Sequence, residues 1–220
     1  MASRMILGAV ISLALVLSPG AAQSVPIKGI KKSSSVKTKR KRPERSQKSA
    51  LLVRVIPRRD GCFVLQLLGS ENPAIYCPMG ESGSKGLAFP DLVLAQANHY
   101  CGARYRRGAS LANSSATDCS GFVQYIYKGF KIDLPRSSAE QAQVGKVVTR
   151  DMDFSKLLPG DLLFFRRGGH HIGHAGIYLG GGKMIHASNH RYGVIITNLR
   201  QPYYEDTFVV AKRVFEVQYQ

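Results

Sequence analysis

The chain has 220 residues, 44% of them hydrophobic, and a formal net charge of +17. This length suffices for one domain of ordinary size plus attachments. Over half the charge falls in residues 25–50, which hold ten Lys/Arg and one Glu, so the total charge alone does not make the globular part a nucleic-acid binder.

Residues 1–24 read as a secretory signal peptide. Arg4 gives a short positive start, and Met5 to Leu17 form an apolar run of 13 residues, too short to cross a bilayer as a helix. Export to the periplasm or cell wall is the expectation. Residues 25–50 read as a basic disordered linker, because like charges repel and almost nothing there can build a core. A tether to anionic envelope polymers or lipid head groups suits it better than nucleic acid, since it lacks interleaved aromatics.

Residues 51–86 hold two β-like runs, 51–56 and 62–68, with a turn between them: a small β element of unknown role. Cys62 and Cys77 flank a segment rich in turn residues, and export permits a disulfide, but pairing cannot be read from sequence. From Leu87 to residue 220 the pattern is α+β. Pro90 and Asp91 suit the first turn of a helix running to about Tyr100. A second helix begins near Asp118 or Cys119, with Phe122, Ile126 and Phe130 at helical spacing. Ser137 and Glu140 have capping-box spacing for a short helix reaching about Val144, with Gly145 as its stop. Strands follow at 161–166, 174–179, 183–188, 193–198 and 208–214. Helices first and strands second predict helices packed on one face of an antiparallel sheet.

Cys119 at a helix start meets free N–H groups and the positive end of the dipole, an environment expected to lower a thiol pKa and to bind an oxyanion. If Gly180, Gly181 and Gly182 form the loop between two strands, opposed residues sum to 362. His186 then faces Gly176, two residues from His174, and both imidazoles project from one face. This inference requires an odd-numbered loop. Cys119 as nucleophile, His174 as base and His186 as the group orienting that base fit the logic of covalent catalysis. His171 and His174 are not spaced as ligands on a helix and no close cysteine pair accompanies them, so neither a metal nor a cofactor is expected.

The segments DCSGFVQYIY, LPRSSAEQ, LLPGDLLFF and HAGIYLGGGKMIHAS occur in that order over residues 88–215. In them the chain resembles the NlpC/P60 family of cell-wall peptidases, papain-like in fold. The resemblance implies a peptidoglycan hydrolase cleaving stem peptides at the γ-D-glutamyl bond to a diamino acid. It places the nucleophile on Cys119, the base on His174 and the third polar residue on His186. It also puts an oxyanion-supporting hydroxyl on Tyr105 and substrate contacts on Asp118 and Ser120. Asp118 reads equally well as a helix N-cap. Cys101, usually an apolar position in the family, reads as buried and structural. Two alternatives stand beside this reading: a papain-like amidase or acyltransferase acting on another envelope substrate, and a non-catalytic wall-binding or nucleic-acid-binding protein.

Overall fold

A computed structural model describes residues 51–78 and 87–219. The signal peptide and basic linker expected at 1–24 and 25–50 lie outside the described residues.

The first two β-like runs form strands β1 (Val53–Pro57) and β2 (Phe63–Leu67), and β3 (Ala74–Tyr76) extends them. Cys62 and Cys77 are joined by a disulfide that closes β2 onto β3. Helix α1 (Phe89–His99) starts as its first turn predicts: the Asp91 carboxylate accepts from the Ala88 N–H at 3.2 Å. Phe89, Val93 and Ala97, four residues apart, are its buried stripe. Cys101 lies in the turn past the end of α1, off that stripe. The reading of it as a buried residue is therefore corrected: it is exposed, and its thiol points to the Val194 carbonyl at 3.7 Å.

Two short strands, β4 (Arg104–Tyr105) and β5 (Ala116–Thr117), pair in parallel and bracket the loop leading to α2 (Cys119–Gly129). Helix α3 (Ser138–Gln141) is shorter than its spacing suggests. Ser137 caps it as expected, but the chain turns away after Gln141, whose Nε2 is held by the carbonyls of Ser120 and Pro135, and reaches Gly145 with φ 76°.

The remaining strands are β6 (Lys146–Thr149), β7 (Leu162–Arg166), β8 (Ile172–Gly180), β9 (Lys183–Ala187), β10 (Val194–Asn198) and β11 (Phe208–Arg213). They build an antiparallel sheet in the order β10-β9-β8-β7-β11-β6. One face, with Leu162, Phe164, Ala175, Ile177, Ile185 and Ala187, packs against α1 and α2. The other face carries Leu163, Phe165, Tyr178 and Met184. It is covered in part by α4 (Pro202–Thr207), through Tyr204 against Phe165. A helix thus lies on the second face as well, and the sheet is buried on both sides.

A final strand, β12 (Phe215–Val217), leaves this sheet and pairs in parallel with β1, giving a second sheet in the order β12-β1-β2-β3. Residues 51–78 therefore do not stand apart. Phe89 is the hub of the join, with ring centroids 5.4 Å from Phe63, 5.4 Å from Phe130 and 5.1 Å from Phe215. Asp161 of the turn before β7 is gripped by Arg213 at 2.8 Å to each oxygen and also accepts from the Leu158 N–H, which locks β7 to β11.

Candidate active site

Asp118 precedes α2 in extended conformation, and its Oδ1 accepts from the Gly121 N–H at 2.7 Å, the bond of an N-cap. Oδ2 accepts from the Gly108 N–H at 2.7 Å, which pins the loop after Tyr105. Arg136 takes both oxygens, at 2.9 and 2.8 Å, and also donates to Ser120 Oγ at 3.0 Å. Burial works to raise the Asp118 pKa, but Arg136 and the two N–H groups outweigh it and hold the carboxyl below its ordinary range. Internal donors thus already occupy both oxygens of Asp118. Gly121 is required here by space: a Cβ at this position would lie 2.5 Å from the Ala109 carbonyl oxygen.

This cap places Cys119 at the start of α2, its sulfur against the entry to β8. Sγ points to the Gly173 carbonyl at 3.9 Å and also meets the N–H of Ala175, so the residues on either side of His174 both touch it. The helix N-terminus was expected to lower the thiol pKa. The direction is reversed: burial pushes it above the ordinary value, and the N–H groups of Ala175 and Ser120, with the charge of Arg167, offset only part of that.

The β8–β9 hairpin turns through two residues, Gly181 and Gly182, not three. A bulge between Tyr178 and Gly180 restores the register, so Tyr178 pairs with Met184 and Ile177 with Ile185, and the sums remain 362. His174 and His186 therefore meet, with Nε2 of the first 2.6 Å from Nδ1 of the second. Gly176 makes room for them, since a Cβ there would meet Met184 Sδ at 2.8 Å and His186 Cβ at 3.2 Å.

The chain continues from His186 Nε2 to Thr197 Oγ1 at 2.9 Å, and Thr197 in turn bonds Tyr204. At the other end, His174 Nδ1 is buried without a hydrogen-bond partner. Burial, followed by the neighbouring His186 and Arg167, drives the His174 pKa well below its ordinary value. Burial and Arg167 lower His186 to about 4. Both rings rest neutral at pH 7. With its proton on Nε2, neutral His174 donates to His186 Nδ1, and His186 then donates through Nε2 to Thr197. The result is a one-directional chain of donors that runs from His174 to Thr197 and leaves His174 Nδ1 as an open acceptor.

Tyr105, on β4, lines a cavity of about 540 Å³ together with Cys119, Ser120, Asp118 and Arg136. Burial raises its hydroxyl pKa, and the nearby Cys119 adds to the rise. All six residues singled out from the sequence therefore border this cavity or the histidine chain behind it. Sequence reasoning missed Arg136, Thr197, Tyr204 and Arg167. Thr197 alone had a readable signal: in the β9–β10 pairing it lies diagonal to His186, two residues beyond its partner Ile195. Among the described residues, no cluster of His, Cys, Asp and Glu is arranged to hold a metal ion.

The family model of the NlpC/P60 family matches residues 102–213. The chain is 36% identical over 152 residues to the murein DD-endopeptidase MepS/murein LD-carboxypeptidase of Escherichia coli (strain K12), covering 67% of this chain and 76% of that protein. It is 38% identical over 100 residues to the γ-D-glutamyl-L-lysine dipeptidyl-peptidase of Bacillus subtilis (strain 168), covering 44% of this chain and 32% of that one. In fold it is similar to the crystal structure of an NlpC/P60 family protein from Bacillus cereus ATCC 10987, with a TM-score of 0.52 and 26% identity; the match covers 70% of this chain and only half of that chain. With the ordered motifs, the α+β architecture and these likenesses together, the chain belongs to the NlpC/P60 family.

Proposed function

We propose that this protein is an exported cysteine peptidase that hydrolyses peptidoglycan stem peptides at the γ-D-glutamyl bond to a diamino acid. The observation that carries the reading is a thiol held against both chain neighbours of a histidine that has one bare ring nitrogen. Cys119 sits at the start of α2 against both neighbours of His174, while His174 Nδ1 is left bare and its other nitrogen is fixed by His186. The substrate class is supported by relatives named as a murein endopeptidase and a γ-D-glutamyl peptidase.

The reaction begins with a neutral thiol and a neutral imidazole. His174 Nδ1 accepts the thiol proton as Sγ attacks the amide carbon, so charge develops only along the reaction path. The His186 acceptor steadies the imidazolium through its Nε2–H. The oxyanion is received by N–H groups of the first turn of α2, with the Tyr105 hydroxyl in the same cavity. The tetrahedral species expels the amine, which takes the proton from His174. Water, deprotonated by His174, then cleaves the thioester and returns free Cys119. Asp118 and Ser120 border this cavity, both held by Arg136, and the internal donors on Asp118 suit it to fixing the start of α2 beside the substrate.

The test is digestion of purified peptidoglycan by the intact protein and by Cys119→Ala, with products read by mass spectrometry. Fragments ending in a free γ-D-glutamyl carboxylate, lost in the Ala variant, are the expected result. Cleavage by the Ala variant at the parental rate would overturn the assignment, and products cut at a D-alanyl bond would overturn the choice of bond.

A further inference from the structure

A cavity of about 550 Å³ runs beside β12 and shares no lining residue with the one at Cys119. Five consecutive residues, Phe215 to Tyr219, border it. Successive side chains of a strand point to opposite faces, so a hollow on one face would meet only every second residue. Contact with all five makes it a groove along the edge of the strand.

The backbone bonds agree. The Val214 carbonyl accepts from the Val53 N–H, and the Gln218 N–H donates to the Val55 carbonyl, so the even-numbered residues of this run bond to β1. The N–H and C=O groups of Phe215 and Val217 therefore point away from β1, and among the described residues no strand lies beyond β12. The facing wall holds Pro90, Leu158 and Pro159, and the two prolines have no N–H to offer that edge. Leu158 and Tyr219 border the groove with 54% and 74% of their surface exposed. Sheet edges are usually blunted by charge or cover, whereas an apolar groove along an open edge suits strand addition by an extended peptide.

Charge selects the peptide. The charged residues of the groove are Asp91, Asp161, Arg213 and Glu216. Arg213 is engaged with both oxygens of Asp161, so these two cancel. Asp91 is exposed and accepts from the Ala88 N–H through one oxygen. Glu216 meets Lys146 in a surface pair, with the two side chains 36% and 59% exposed, and such a pair exchanges partners at little cost. Two carboxylates are thus left at one edge of a chain whose net charge is +17. They oppose an anionic segment. They also oppose a second copy, because a two-fold pairing of β12 with itself would bring like charges together.

We infer that the edge of β12 is a docking site for an extended basic segment of another protein, in which Lys or Arg alternates with aliphatic residues. The backbone of that segment adds a strand to β12, its aliphatic side chains enter the groove, and its cations are drawn by Asp91 and Glu216. The site is independent of the peptidase reading.

The experiment titrates the full chain into fluorescein-labelled Lys-Val-Lys-Val-Lys-Val and follows anisotropy. Unlabelled Glu-Val-Glu-Val-Glu-Val and the fully N-methylated Lys-Val peptide, which cannot add to a strand, serve as competitors. A micromolar Kd is expected for the probe, with each competitor displacing it ~10-fold less well than the unlabelled parent peptide. Leu158→Lys, which sets a cation in the groove, should weaken binding ~10-fold, and Glu216→Gln ~3-fold, both with unchanged thermal unfolding. No binding at about 100 μM protein overturns the inference. So does undiminished binding by Leu158→Lys, or displacement by either competitor as effective as by the parent peptide. A dimer in sedimentation that Leu158→Lys dissociates would give the edge to a second copy and overturn it as well.

Discussion

Arg136 and Asp118 form a two-pronged ion pair immediately before Cys119, and the negative member of that pair opposes ionisation of the thiol. Arg136→Ala would leave the carboxylate uncompensated. The pH profile of Cys119 alkylation should move to the alkaline side and peptidase activity should fall. Arg136 is 40% exposed on its side chain, so solvent screening limits the loss to roughly tenfold. Iodoacetamide modification rates measured from pH 6 to 10 check this, and a profile identical to the parent would contradict it.

The relay from His174 through His186 to Thr197 predicts graded losses. His186→Ala removes the acceptor that fixes the His174 tautomer, and kcat should fall by ~100-fold. His186→Gln offers a carbonyl in its place and should retain roughly a tenth of the activity. Thr197→Val, one step further from the chemistry, should cost only about threefold. Steady-state kinetics on one defined stem peptide rank the three, and equal losses in all would argue for simple unfolding.

Both rings of the His174–His186 pair have pKa values depressed by burial, and the sign of the consequence is fixed. Below pH 6.5 the unfolded chain takes up protons on these histidines that the folded chain refuses, so stability declines as the pH falls. For His186 the decline runs from 6.5 to about 4 and then levels off. At 1.36 kcal/mol per unit this amounts to about 3 kcal/mol. Urea midpoints measured at pH 7.5, 6 and 5 should fall in that order, and His186→Gln should flatten the trend. On the same grounds activity should persist below pH 6.5, since His174 remains neutral there.

The aromatic join between the two sheets is a stability element distant in role from catalysis. Phe89→Ala should cost about 3–5 kcal/mol, because the ring is fully buried among Phe63, Phe130 and Phe215. Replacing Cys62 and Cys77 by Ser, which opens a loop of sequence separation 15, should cost about 3 kcal/mol. Thermal unfolding of each variant provides the measurement, with activity at 20 °C expected near the parental level for the Ser pair.

Much of the site was legible because its parts are local. Asp118 caps the helix whose first residue is Cys119, and hairpin parity needs only two strands. Even there the agreement had a hidden compensation. The loop holds two glycines, a bulge at Gly180 supplies the missing residue, and His174 still meets His186. The direction of the Cys119 pKa was not legible, because position in a helix says nothing about how much water reaches the sulfur. Tyr204 and Arg167 come from segments with no register linking them to Cys119, so only the folded sheet brings them near. Strands β6 and β12 escaped notice for a related reason: one is a mostly exposed edge of four residues, the other a three-residue run beside a neighbouring strand.

The parallel pairing of β12 with β1 has a consequence for how the protein acquires its structure. Val53 meets Phe215 across almost the whole described chain, so the sheet that includes β1 cannot close until its last strand has been made. Such a contact is entropically remote, and it should form late, after α2 and the six-stranded sheet are in place. Until then the apolar side of β1 and β2 has no cover from Phe215. A chain in which β12 has yet to pair would therefore remain loosely organised at this end.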